Sequence, residues 1–288
     1  VTFRLLLAVP AVALALALGA CDSFEISGSR HATLTYTDDA RAAYLEAMKS
    51  FKAREWDDAK ALFGEIKKLF PYTTYARLSE LRLADISFEQ EKFSEAVTAY
   101  REFVQNHRSD PNVEYARYRV TRALFKDIDD TIFLPPQEER DQATCYEAYK
   151  EIRAYLKDYP RTQFPKEEQY MYDVVVGRLV RHELYVARYY LKNDNFPAAV
   201  ARVDHAMKTY PGSNLEPEAL VLKGETLMKM KNLDDAREVF ETVRRVYGGP
   251  FAVTAGKFLD EIQDLERKNG GRKPPPPPPP SSQPSPVL

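Results

Sequence analysis

Residues with reactive side chains are few in this sequence, and they do not converge. His31, His107, His182 and His205 lie far apart, with no His-Glu-x-x-His run, no phosphate-cradling glycine loop and no Gly-x-Ser-x-Gly elbow. Asp127, Asp129 and Glu138 fall at positions 1, 3 and 12 of a calcium-loop register, but Ile132 stands where that loop needs a glycine for its sharp turn. Cys145 occupies an apolar frame position and reads as a buried, inert thiol. These residues point to no metal, no cofactor and no enzyme. The 18 tyrosines are more suggestive, above all Tyr170, Tyr172, Tyr185, Tyr189 and Tyr190. A ring with one polar tip suits packing between helices, and it equally suits a half-buried surface that holds a peptide.

Cys21 is the one cysteine with a chemical context. Residues 1–20 carry a single charge, Arg4, followed by an apolar run from Leu5 to Leu18, which is the shape of a secretory signal peptide. The run ends Leu18-Gly19-Ala20-Cys21 and looks like a bacterial lipobox, where cleavage precedes the cysteine and the cysteine is acylated. Each buried CH₂ of an acyl chain contributes about 0.8 kcal/mol, so several chains anchor a protein firmly. An ordinary signal peptide with a chance cysteine is the alternative. Residues 21–38 are polar and read as a lipidated tether. Asp22 bears on sorting, since in enteric bacteria an aspartate after the lipidated cysteine retains lipoproteins in the inner membrane.

The elements that would position everything else are helices in a repeating frame. Ala59, Ala96, Ala148, Ala199 and Ala236 are separated by 37, 52, 51 and 37 residues. Four residues after each stand Phe63, Tyr100, Ile152, Val203 and Phe240, on the same helical face. Twelve residues before four of them stand Ala47, Ala84, Ala187 and Gly224, where a small side chain lets the preceding helix approach. Pro71, Pro160 and Pro211 end the second helices of their pairs, because proline cannot continue a helix. The spacing predicts an all-α fold, a helical-repeat solenoid of about five tetratricopeptide-like helix pairs over residues 39–268 with a closing C-terminal helix from Phe251.

The frame breaks twice. Residues 127–142 form an insertion inside the third pair, where Pro135-Pro136 excludes a regular helix and a solvated loop is expected. Pro165 to Lys192 reads as one helix of some 28 residues, roughly 42 Å long, whose first turns need something extra to pack on. Residues 269–288 are low complexity, with prolines from Pro274 to Pro280 spanning roughly 22 Å as polyproline II. They read as a tail or spacer, or alternatively as a polyproline ligand.

Composition narrows the class. The 288 residues are 29% charged and 44% hydrophobic, with a net charge of −2 that does not suggest a nucleic-acid partner. No run of 20 apolar residues follows residue 20.

Longer strings are more specific. Phe70-Pro71-Tyr72, Asp110-Pro111-Asn112-Val113-Glu114-Tyr115, the acidic insertion, Tyr185-Val186-Ala187-Arg188-Tyr189-Tyr190, and Ala201-Arg202-Val203-Asp204 with Tyr210-Pro211 resemble, in order and spacing, the BamD family. These are tetratricopeptide lipoproteins of the outer-membrane β-barrel assembly machine, and the resemblance covers about residues 38–265. It implies a non-enzymatic scaffold in the BAM complex, on the periplasmic face of the outer membrane. C-terminal repeats would dock on POTRA domains of BamA, beside other BAM lipoproteins, with Arg202 and Tyr190 in the contact. N-terminal repeats would receive the C-terminal signal of unfolded outer-membrane proteins on a groove including Phe70, Tyr72 and Tyr75, which equally read as core. Arg202 should reach a surface, being one residue from the core-facing Val203. It could also pair locally with Asp204 or Glu183. Another tetratricopeptide lipoprotein, a pilotin or a peptidoglycan or cell-division adaptor, is the competing function.

Overall fold

A computed structural model describes residues 28–128 and 135–268, with side chains from residue 36 onward. The signal segment, Cys21, Asp22 and the proline-rich tail lie outside the described residues. Eleven α-helices and no strand occur among those described. The chain divides between Asn106 and His107 into two compact units.

The N-terminal unit holds α1 (Gly28–Ala53), α2 (Trp56–Leu69), α3 (Thr74–Glu89) and α4 (Phe93–Asn106). Helix α1 begins well before residue 39, so residues 28–38 are helical where the sequence reads as tether. Its entry is held by Tyr36, whose ring meets Phe70 at 5.0 Å and whose hydroxyl donates to the Leu69 carbonyl at 3.0 Å. The frame residues do what their size predicts. Ala47, Ala59, Phe63 and Ala96 are fully buried, and Tyr44, Phe51 and Trp56 pack around Phe63. Asp57 and Asp58 in the first turn of α2, with Lys67 and Lys68 in its last, complement the helix dipole.

The turns inside four pairs share one solution that contains no glycine. Arg54, Glu91, Asp194 and Lys231 each take a left-handed backbone, with φ of 62°, 60°, 54° and 61°. After each, the next N–H reaches back to a carbonyl five residues earlier, as Glu55 does to Ser50 and Asn232 to Leu227. This is the left-handed termination that satisfies the last carbonyls of a helix before the next begins. Each of these non-glycine residues costs roughly 1–2 kcal/mol in this backbone, offset by the satisfied carbonyls, and no glycine signals these turns in the sequence.

The C-terminal unit holds α5 (Val113–Asp127), a 3-10 turn (Gln137–Glu139), α6 (Ala143–Asp158), α7 (Pro165–Lys192), α8 (Phe196–Thr209), α9 (Glu216–Lys229), α10 (Leu233–Val246) and α11 (Gly249–Lys268). Helix α7 has the predicted ends. Its first turns pack on α5, where Phe164 stacks on Tyr118 at 3.8 Å and Thr121 meets Glu168. Its second half pairs with α8. Residues 129–134 of the insertion are not described. Residues 135–142 are docked on α7 rather than free in solvent: the Glu138 carbonyl lies 2.7 Å from His182 Nδ1, and Glu139 hydrogen-bonds Tyr185. Cys145 is buried, and desolvation pushes its thiol up to about 11, so it stays protonated as the sequence reading expects. Helix α11 starts at Gly249, two residues before Phe251, and lays Phe258 flat on Phe240 at 4.7 Å.

Candidate functional site

Arg202 gains its position from α8. Ala199 and Val203 turn the helix's apolar face inward and are fully buried, which carries Arg202 to the flank of the α7–α8 pair. There its Nη1 donates to Glu183 Oε2 at 3.2 Å, and the guanidinium also hydrogen-bonds the Tyr190 hydroxyl. Asp204 is taken by Lys223 at 2.7 Å, so of the two expected local partners Glu183 is the real one.

Glu183 sits between Val180 and Ala187 on α7, on a helix face that is otherwise apolar, and is itself buried. Its second oxygen lies 3.8 Å from His205 Nε2. One buried carboxylate thus holds Arg202, with the His205 ring three residues further along α8 beside it. Burial pushes Tyr210 up to about 12, with the Glu183 charge adding to it. For Arg202, partial desolvation opposes the charge, Glu183 and then Tyr190 outweigh it, and the guanidinium ends above its ordinary value.

The pairing does not hide the arginine. Its side chain remains 42% exposed over a concavity of about 310 Å³ lined by Tyr190, Ala198, Ala201, Arg202 and His205. The two alanines leave room above the helix, so an incoming carboxylate can reach the remaining donors of the fork. Tyr189 and Tyr185 extend an exposed aromatic surface along α7.

The three residues expected to line a substrate groove separate. Phe70 and Tyr75 are partly buried against the core of the N-terminal unit, with Tyr75 packed on Tyr44 at 5.6 Å. Tyr72 is 92% exposed and points away from that packing. Thr73 explains the split. Its hydroxyl donates to the Phe70 carbonyl at 2.8 Å and accepts from the Ala76 N–H at 3.2 Å, which caps α3 and fixes the bend. Sequence reasoning missed Glu168, a fully buried carboxyl pushed up to about 7. The signal was present in its place three residues after Pro165, on the face continued by Met171 and Val175. Among the described residues no cluster of histidine, cysteine and acids could hold a metal ion, and no helix is long and apolar enough to cross a membrane.

Residues 37–242 match the model of the outer membrane lipoprotein family YfiO. The chain is similar to proteins named outer membrane protein assembly factor BamD. It is 27% identical to that of Neisseria gonorrhoeae over 239 residues, covering 80% of this chain and 88% of the relative. For Caulobacter vibrioides the identity is 26% over 213 residues, covering 73% and 68%. For Xylella fastidiosa Temecula1 it is 25% over 228 residues, covering 75% and 77%. Among solved structures, the P58(IPK) TPR domain overlays at a TM-score of 0.39 and 13% identity, covering 84% of this chain and 69% of that one.

Proposed function

The chain belongs to the YfiO family of outer membrane lipoproteins, and from that premise we propose that it is a non-enzymatic scaffold of the machine that assembles outer-membrane β-barrel proteins. The C-terminal unit docks on a POTRA domain of BamA through Arg202 and Tyr190, alongside other lipoproteins of the complex. The N-terminal unit receives the C-terminal signal of unfolded outer-membrane proteins, with the exposed Tyr72 ring as the contact and Phe70 and Tyr75 as the packed wall behind it. The observation that carries this reading is Arg202, fixed by a buried carboxylate yet open over a concavity. A guanidinium already held in place loses little freedom on meeting a partner carboxylate.

The structure dictates the choice of variant. Arg202→Glu would set a carboxylate beside Glu183 and disturb the fold, so binding and stability would fall together. Arg202→Gln keeps a donor toward Glu183 and removes the charge. It should weaken binding of the cognate POTRA fragment by about 2 kcal/mol, roughly 30-fold, with a smaller drop in melting temperature than Arg202→Glu causes, because Glu183 keeps a hydrogen-bond donor. Photo-crosslinkers at residues 202 and 72 complete the experiment: 202 should capture the POTRA fragment, and 72 a peptide bearing the substrate's C-terminal signal. Equal affinities for Arg202→Gln and wild type remove Arg202 from the contact, and capture of secretin or murein partners instead favours the adaptor function.

In the same reading, Cys21 carries the acyl anchor. Cys21→Ser should abolish palmitate labelling and release the protein into the soluble periplasmic fraction. Labelling that persists in the variant removes Cys21 as the lipidation site, and wild-type sedimentation with inner membrane would show that Asp22 governs sorting.

A further inference from the structure

A second concavity, of about 350 Å³, lies between α8, α9 and α10. Its floor is aliphatic, made by Val200, Leu220, Leu227 and Val239. Its rim on α10 is acidic, with Asp235 and Glu238 one turn apart. The rim's lysine, Lys223, is already engaged by Asp204, and the Glu238 carboxylate has no partner among the described residues. The surface therefore presents apolar area beside uncompensated negative charge.

The described chain ends against α10, the helix that bears this rim. Glu266, in the last turn of α11, pairs with Arg237 in the second turn of α10, so Lys268 leaves the fold beside the helix that carries Asp235 and Glu238. The sequence then runs Asn269-Gly270-Gly271-Arg272-Lys273 into Pro274–Pro280. Five residues from Lys268 to Lys273 span up to about 17 Å. That exceeds the roughly 10–12 Å thickness of the helix between α11 and the groove.

We infer that residues 272–280 occupy this groove in the same molecule, with Arg272 and Lys273 on the Asp235–Glu238 rim and the proline rings on the aliphatic floor. The chemistry matches on both counts. The floor offers no acceptors, and a proline run has no N–H donors to leave unsatisfied. Its backbone is already restricted, so little freedom is lost on docking. The short link supplies an effective concentration in the millimolar range, and a weak contact suffices.

A photo-crosslinker placed at Thr242, which lines the groove, tests this in the full chain. Mass spectrometry should find intramolecular capture of residues 272–280. The tail substitutions Arg272→Glu and Lys273→Glu together, which lie outside the fold, should cut capture at least fivefold. Glu238→Lys in the same chain should restore it. Absence of capture, capture of another segment or of a second copy, or capture indifferent to both charge reversals would overturn the proposal.

Discussion

Glu168→Gln should stabilise the C-terminal unit at pH 8 by on the order of 2 kcal/mol, and should change it little at pH 5. The carboxyl is fully buried between α5 and α7, and Oε2 has no hydrogen-bond partner. Thr121 has one proton and two neighbours: the Tyr118 carbonyl at 2.6 Å, which can only accept, and Glu168 Oε1 at 2.5 Å. The bonding is complete when Thr121 donates to the carbonyl and a protonated Glu168 donates to Thr121. Burial, with the nearby Glu167 charge adding and Thr121 opposing, pushes the group up to about 7. The folded state therefore binds more protons than the unfolded state between about pH 4.5 and 7. Stability falls as pH rises through that window and levels off above it. Glutamine is permanently neutral and keeps a donor toward Thr121, so it removes both the slope and the penalty. Urea denaturation followed by helical circular dichroism at pH 5 and pH 8 reads both. A Glu168→Gln variant no more stable than wild type at pH 8 would show that the carboxylate is charged and solvated after all.

Gly224→Ala is expected to destabilise the same unit by about 1–3 kcal/mol, against the usual preference of helices for alanine. A Cβ at residue 224 would lie 2.4 Å from Phe240 Cζ and under 3 Å from both Cε atoms. Phe240 has no room to retreat, being fully buried and stacked on Phe258. Alanine's intrinsic advantage over glycine within a helix is about 1 kcal/mol, so the clash decides the sign. Combining Gly224→Ala with Phe240→Leu should recover part of the loss, giving a coupling between two positions sixteen residues apart in sequence. Thermal melts of the two single variants and the double read this. A Gly224→Ala protein that melts higher than wild type would mean the ring yields and propensity wins.

These two positions mark the boundary between what is local and what is not. The small residue on one helix and the aromatic on the next are legible in the chain itself, because helical periodicity and proline stops are properties of consecutive residues. That is enough for the helix pairs, for Pro165–Lys192 as one long element, for the buried Cys145 and for Arg202 at a surface. Partners across helices are another matter, since they depend on the angle and register at which two faces meet. Nothing in the string tells Arg202 to choose Glu183 over its neighbour Asp204, or tells Thr121 to meet Glu168 forty-seven residues away. The split of Phe70 and Tyr75 from Tyr72 hangs on one threonine cap. The insertion's return onto His182 and Tyr185 hangs on the unpaired face of a helix built by later residues. The sequence alone determined which faces are apolar and where helices stop; only packing decided which charges share a carboxylate, because that choice is made by distance in space.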